Sequence, residues 1–112
     1  MEEIKDLKMI ILLIISGITF LFAIGVNLLF QERKSYEGSI QAAIASANYC
    51  ESASDCAFAG SACPFGCNIY VNETEAARIG DILSRYQSTC AYSCVPLKSV
   101  ECIENRCVPL FE

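Results

Sequence analysis

Residues 62–75 read ACPFGCNIYVNETE, and this stretch contains the features that decide the fold. Cys63 and Cys67 flank Pro-Phe-Gly, in which proline presets a turn and glycine relieves crowding. The run 68–71 that follows is rich in strand formers. Asn72, with a glutamate three residues later, matches a helix N-terminus, and apolar residues then recur at helical spacing. The stretch therefore predicts a turn, a strand and an amphipathic helix over residues 73–88.

The two cysteines of that turn belong to a larger set in the C-terminal part of the chain. Its members are Cys50, Cys56, Cys63, Cys67, Cys90, Cys94, Cys102 and Cys107. An even number in so short a segment is typical of a disulfide scaffold, in which crosslinks supplement a small core. Disulfides persist in an oxidising compartment, so residues 49–112 are predicted to form a disulfide-rich domain outside the cytosol. Spacing alone leaves the connectivity open.

Short strands on both sides of the helix complete the predicted domain. Residues 55–59 are a candidate first strand, with Phe58 directed inward. Residues 100–108 predict a hairpin, in which Cys102 and Cys107 face each other. These two cysteines either bond together or each bond elsewhere. The predicted fold class is a small disulfide-rich α+β domain, with short antiparallel strands and one amphipathic helix, behind a single N-terminal transmembrane helix.

The predicted membrane segment is an uncharged apolar run, residues 9–30. As a helix it rises roughly 33 Å, enough to cross a hydrocarbon core of about 30 Å. The lipid bilayer is therefore its expected partner. A cleaved signal peptide is the alternative, because Ala23-Ile24-Gly25 has the small-x-small form of a cleavage site. The preceding residues are nearly neutral rather than basic, which favours an uncleaved signal anchor.

The orientation in the membrane follows from the cysteines, because basic residues are balanced across the apolar run. Residues 1–8 are predicted to be cytoplasmic and residues 49–112 extracytoplasmic, in a single-pass protein of the cell membrane. Residues 31–48 are the stalk or linker between them. Apolar residues at helical spacing make this linker partly helical, either as an extension of the membrane helix or as a short helix lying on the domain.

The composition argues against several functions. A net charge of −5 argues against nucleic-acid binding, which needs a basic surface. The chain has no histidine, so Ser-His-Asp and Cys-His arrangements are ruled out and we do not expect an enzyme. No cofactor or metal is predicted, because neither short cysteine pair has the spacing usual in zinc ribbons. A cysteine-ligated metal-binding domain remains an alternative use of the eight cysteines.

Two residues of the opening stretch are candidates for contacts outside the fold. Phe65 lies in a loop between two cysteines, where an aromatic side chain either anchors a protein partner or tucks into the core. Asn72 begins an Asn-Glu-Thr sequon, which makes it a candidate for glycosylation. It is also a candidate helix N-cap, and the capping pattern favours this role over glycosylation.

The order of the cysteines and the Val71-Asn72 pair before a helix resemble the small eight-cysteine-cluster modules of prokaryotic secreted and membrane-anchored proteins. The resemblance covers about residues 49–110 and implies an extracytoplasmic disulfide domain without known catalytic residues. We expect a membrane-anchored binding or structural module, with an unidentified protein as partner. The alternative is a small protease inhibitor that presents residues 64–66 or 57–62. Solvent exposure of Phe65 separates these hypotheses.

Overall fold

A computed structural model describes residues 1–112 and divides the chain into two units, Met1–Glu37 and Gly38–Glu112. Helix α1, Glu2–Ala47, includes residues of both. A short 3-10 helix, Ala53–Asp55, follows it. The remaining elements are β1 (Cys56–Ala62), β2 (Gly66–Asn72), α2 (Ala76–Arg85), β3 (Leu97–Ile103) and β4 (Arg106–Phe111). This order confirms the predicted combination of a long apolar N-terminal helix with short strands and a second helix.

The part of α1 in the first unit contains an apolar run, residues 9–30, in which no residue is buried. Nothing in its most hydrophobic 18-residue window is buried, and by length and composition the helix can cross a membrane. Two polar side chains of the apolar run bond within the helix. The Thr19 hydroxyl donates to the Ser16 carbonyl, and the Asn27 amide donates to the Ala23 carbonyl. Such internal bonds suit an apolar solvent, which offers no other partner to polar groups.

The core of the second unit lies where the end of α1, strand β2 and helix α2 meet. Val71 and Ile79 are completely buried at its centre. Ile40 and Ala47, both from α1, are buried in the same cluster. The apolar residues whose helical spacing predicted a helical linker therefore form the face of α1 that packs on the core. Residues 38–47 belong to the second unit, Gly38–Glu112, together with the cysteine-rich residues 49–112.

The four strands form two separate antiparallel hairpins, β1 with β2 and β3 with β4. The Cys-Pro-Phe-Gly-Cys segment supplies the turn of the first hairpin, as predicted. In the second hairpin, Glu104 and Asn105 both have positive φ, of 51° and 59°. This is the pattern of a type I′ turn, whose twist matches that of the flanking strands. The predicted hairpin over residues 100–108 is thus present and extends at both ends.

Helix α2 (Ala76–Arg85) is shorter than the predicted 73–88. At its N-terminal side, the Glu75 N–H donates to the Asn72 carbonyl at 2.9 Å and closes a turn before the helix begins. At the other end, the Tyr86 backbone is extended, with φ −77° and ψ 126°. The predicted start came from the Asn72 capping pattern, whereas apolar periodicity continues to Tyr86, past the C-terminal end of the helix. Neither signal marks the exact limits of the helix.

Two glycines allow α2 to lie directly against β1. A Cβ at Gly80 would stand 3.0 Å from the Ala59 carbonyl oxygen. Gly60, in β1, has a φ of +149°, and a Cβ there would stand 3.3 Å from Leu83 Cδ1. Larger residues would push the helix away from the strand or strain its backbone. The close approach brings the apolar face of α2 onto the β1–β2 hairpin.

Candidate functional site

The eight cysteines form four disulfides and none is free. The bridges are Cys50–Cys102, Cys56–Cys107, Cys63–Cys90 and Cys67–Cys94. This confirms the predicted disulfide scaffold. Cys102 and Cys107 are opposite each other in the β3–β4 register, yet they do not bond together. Facing residues of a hairpin project from the same side, and here both reach cysteines that precede or begin β1.

We name Cys50–Cys102 and Cys56–Cys107 the hairpin bridges, because each ends on the β3–β4 hairpin. Cys50 and Cys107 are 4% and 3% exposed. The Sγ atoms of Cys50, Cys56 and Cys107 all lie within 4.8 Å of one another. Since Cys102 is bonded to Cys50, the two hairpin bridges form one cluster of four sulfur atoms.

Hydrogen bonds to backbone groups, two of them from the Asn48 side chain, hold the chain around the hairpin bridges. Asn48 Oδ1 accepts from the Cys107 N–H at 2.7 Å, and Asn48 Nδ2 donates to the Cys107 carbonyl at 3.3 Å. The Cys50 N–H donates to the Asn105 carbonyl at 3.0 Å. The residues that leave α1 therefore bind directly to the second hairpin. Sequence reasoning missed Asn48, because no local pattern marks a side chain whose partner lies 59 residues away.

A carboxylate shapes the loop between the first two cysteines. Asp55 Oδ2 accepts from the backbone N–H groups of Glu51, at 2.8 Å, and Ser52, at 3.0 Å. These bonds hold the pKa of Asp55 below its ordinary value, and the bond from Glu51 has the larger effect. The Asp55 carbonyl also accepts from the Glu73 N–H at 2.7 Å. Asp55 thus fixes the path by which the chain passes from one hairpin bridge to the other.

We name Cys63–Cys90 and Cys67–Cys94 the turn bridges, because each starts on the β1–β2 turn. Both span 27 residues and both end on residues 86–96, which contain no helix or strand. The Ser88 hydroxyl donates to the Cys63 carbonyl at 2.7 Å. A cleft of about 260 Å³ is lined by all four of these cysteines. The turn bridges therefore hold an exposed, irregular segment against the first hairpin.

Phe65, in the turn between these cysteines, is half-buried and packs against the core. Its ring meets that of Tyr86 edge-on, with centroids 5.0 Å apart and planes inclined by 70°. Such aromatic pairs contribute beyond the area they bury. The clamped turn therefore directs its aromatic side chain into the fold.

The sequence analysis predicted that Phe58 is directed inward, and this prediction is wrong. It is 53% exposed and contacts Tyr70 edge-on, at a centroid distance of 5.6 Å. In the β1–β2 register its neighbour Ala57 lies opposite the buried Val71. Alternation along the strand then places Ala57 on the core side and Phe58 on the outer side. A pairing shifted by one residue would have reversed the two.

The side chain of Asn72 is 9% exposed and bonded at both of its polar atoms. Nδ2 donates to the Tyr49 carbonyl at 3.2 Å, and Oδ1 accepts from the Thr74 N–H and hydroxyl at 3.0 and 2.7 Å. Asn72 therefore caps the turn that leads into α2, while Glu75 occupies the N-cap position of the helix itself. A glycan would be attached at Nδ2, the atom that donates to the Tyr49 carbonyl.

The chemistry available to this arrangement is that of rigid crosslinks. Disulfide-bonded cysteines offer no thiolate for nucleophilic attack or metal coordination. The ion pairs Arg33–Glu37, Arg78–Glu75 and Arg85–Asp81 are each between neighbouring turns of one helix. Pairs of this kind have small effects on stability. The oxidised domain therefore presents a covalently fixed surface.

No protein-family model, curated protein or solved structure matches this chain. The resemblance to eight-cysteine-cluster modules stays a prediction, based on the order of the cysteines and the Val71-Asn72 pair. Function must therefore be argued from the physical properties of the two units.

Proposed function

We propose that this protein is a single-pass, membrane-anchored module that displays a disulfide-rich domain outside the cytoplasm for binding or structural purposes. The observation that carries the proposal is the pairing of an entirely uncovered apolar helix with a domain in which every cysteine is crosslinked. The proposal also includes membership of the eight-cysteine-cluster class. A protein partner is expected, and its identity is open.

The uncovered helix supports the membrane assignment. Exposed apolar patches on soluble monomers rarely exceed a few hundred square ångströms, because their hydration is unfavourable. None of the apolar side chains of residues 9–30 is buried by the protein. A lipid bilayer would cover them over the whole length of the run. Retention of this helix in the mature protein is what distinguishes the anchor from a cleaved signal peptide.

The four disulfides support the extracytoplasmic placement of the domain. Thiols in the cytosol are kept reduced, whereas secreted and periplasmic domains of this size commonly depend on such bridges. With the domain outside, residues 1–8 lie in the cytoplasm. The second unit has a small buried core, so its crosslinks supply stability that the core alone cannot.

The protease-inhibitor alternative receives less support from the geometry. An inhibitory loop must be extended and free to enter a protease cleft. Residues 57–62 belong to β1 and are paired with β2, while Phe65 packs against Tyr86. Neither candidate segment is free in this way. The metal-binding alternative is also disfavoured for the oxidised domain, because all of its thiols are used in disulfides.

The test is thiol labelling of the full chain in intact cells or right-side-out vesicles. A membrane-impermeant maleimide is applied before and after treatment with a phosphine reductant, and the intact mass is measured. We expect no adduct before reduction and eight adducts after it, without lysis, because the cysteines all lie in the outer domain. A tag at residue 1 serves as the control and should be accessible only after lysis.

Three results would contradict the proposal. Free thiols before reduction would show that the cysteines are not crosslinked in the native protein. Labelling of cysteines only after lysis would show that the cysteine-rich domain lies in the cytoplasm. A mature chain that begins after Gly25 would establish a cleaved signal peptide and remove the anchor.

A further inference from the structure

We propose that the four cysteines of the hairpin bridges form a zinc site when they are reduced, and that those of the turn bridges do not. The ligands are Cys50, Cys56, Cys102 and Cys107, and the ion is Zn²⁺ held by four thiolates. The inference concerns the reduced chain, and it does not depend on the function proposed for the oxidised one. It rests on the position of the sulfur atoms in two adjacent disulfides.

The spacing of the sulfur atoms fits tetrahedral zinc. With Zn–S bonds of about 2.3 Å, the sulfur atoms of a tetrahedral site are about 3.8 Å apart. Three of the four sulfur atoms already lie within 4.8 Å of one another, and the fourth is bonded to one of them. Reduction lets each bonded pair separate, and the tetrahedral spacing is reached by side-chain rotation. The Cα–Cα distances of 5.9 and 5.7 Å within the bridges leave room for an ion between the thiols.

The backbone around this cluster is held by bonds that do not involve sulfur. Asn48 bonds both backbone polar groups of Cys107, and the Cys50 N–H bonds Asn105. Strand pairing keeps Cys102 opposite Cys107. Asp55 holds the loop between the remaining two ligands. Hydrogen bonds as well as sulfur therefore define the four ligand positions in the folded domain, and zinc binding by the reduced chain favours the fold in which these bonds are made.

The turn bridges lack both properties. Their four cysteines line a cleft of about 260 Å³, and no three of their sulfur atoms converge within the distance found at the hairpin bridges. Cys90 and Cys94 lie in an exposed segment without helix or strand. On reduction that segment is no longer tied to the turn by covalent bonds, so its two thiols are free to move away from Cys63 and Cys67.

The reaction balances as a reduction followed by metal binding. Each hairpin bridge takes two electrons and two protons from a dithiol reductant, which is itself oxidised to a disulfide. The four resulting thiols release four protons as they bind Zn²⁺ as thiolates. A low-molecular-weight disulfide reverses the sequence, because it is reduced to thiols as the two bridges re-form and the ion is released. Crosslinking by zinc and crosslinking by two disulfides are thus alternatives at the same four positions.

The experiment uses the full chain in detergent micelles, reduced anaerobically with a phosphine. Zinc chloride is added in slight excess, unbound metal is removed by gel filtration, and zinc per chain is measured by elemental analysis. We expect one zinc per reduced chain and none on the oxidised chain. Cobalt(II) substitution should give the absorption of a tetrahedral four-thiolate site, and zinc should protect the β3–β4 amides from hydrogen exchange.

Two matched variants, each lacking one bridge, locate the ion. The double variant Cys50→Ser/Cys102→Ser should lose the bound zinc, whereas Cys63→Ser/Cys90→Ser should retain one zinc per chain. Near-ultraviolet circular dichroism of the domain's tyrosines reports whether each reduced variant remains folded, because α1 supplies most of the helical signal. Absence of zinc from the reduced wild-type chain would overturn the proposal. Equal retention or equal loss in the two variants, or zinc bound without protection of β3–β4, would also overturn it.

Discussion

The hairpin bridges and the turn bridges crosslink very different surroundings. The hairpin bridges end on the β3–β4 hairpin, at positions that hydrogen bonds from Asn48 and Cys50 also fix. The turn bridges hold residues 86–96, which have no regular structure and whose residues from 87 onward are exposed. Covalent bonds therefore reinforce an existing arrangement in one region and supply most of the order in the other. Equal numbers of crosslinks should have unequal effects on global stability.

Chain entropy does not create this difference. Closing loops of 52 and 27 residues lowers the entropy of the unfolded chain by amounts equivalent to about 4.1 and about 3.6 kcal/mol, which are nearly equal. Each bridge also has a neighbour that closes almost the same loop, so removal of one bridge relaxes the unfolded chain only slightly. The contacts made in the folded state must then decide which bridge matters more.

The largest effect is expected from removing a hairpin bridge. Cys56→Ala/Cys107→Ala should lower the free energy of unfolding by about 3 kcal/mol, because it leaves a cavity at the buried Cys107. Cys67→Ala/Cys94→Ala should lower it by about 1 kcal/mol, because Cys94 is exposed. Urea unfolding of the full chain in micelles, followed by the near-ultraviolet circular dichroism of its tyrosines, measures both. Equal losses would show that the two regions do not differ in the way described.

The next largest effect is expected from removing hydrogen bonds in the hairpin region while its disulfides stay intact. Asn48→Ala should lower the free energy of unfolding by about 2 kcal/mol, since it leaves the N–H and carbonyl of Cys107 without their partner. Asn68→Ala is the matched control. The Asn68 side chain makes no hydrogen bond in β2, so a change below about 0.5 kcal/mol is expected there. A similar small change for Asn48→Ala would mean that the bridges alone hold this region.

Local sequence patterns predicted most of the secondary structure because their causes are local. Residues 62–75 supplied a turn, a strand and a helix, each from residues adjacent in the chain. The second hairpin was readable because two strand-forming runs lie on either side of a short polar segment. The membrane-length helix was readable from its uninterrupted apolar run. Each of these signals is complete within a few turns of helix or one hairpin.

The features that the sequence left open depend on contacts between distant residues. The orientation of Phe58 follows from the pairing of β1 with β2, and a shift of one residue would reverse it. The choice of Cys50 and Cys56 as partners for the second hairpin follows from the return of that hairpin to the end of α1. Asn48 acts on a strand far along the chain. Neither spacing nor periodicity encodes such relationships, so connectivity and the role of Asn48 required the structure.

A smaller effect separates the two phenylalanines near the first hairpin. Phe65→Ala should lower the free energy of unfolding by about 1.5 kcal/mol, because Phe65 packs on the core and against Tyr86. Phe58→Ala should cost less than about 0.5 kcal/mol, because that ring is mostly exposed. Thermal unfolding of the oxidised chain compares the two variants. A larger loss for Phe58→Ala would restore the inward orientation and reopen the possibility that the turn presents Phe65 to a partner.

The smallest effect concerns the pH dependence of the hairpin region. The backbone bonds from Glu51 and Ser52 lower the pKa of Asp55 in the folded protein, so the ionised carboxylate favours folding. This stabilisation is present above the unfolded pKa, about 4, and is lost as the pH falls through the lower folded value. Asp55→Asn should therefore flatten the acid side of the melting-temperature profile. Glu101→Gln, at an exposed carboxylate in β3, should leave that profile unchanged. If both variants leave the melting-temperature profile unchanged, the bridges alone hold the loop between Cys50 and Cys56. The hydrogen bonds that distinguish the hairpin region from the turn region would then be only those made by Asn48 and Cys50.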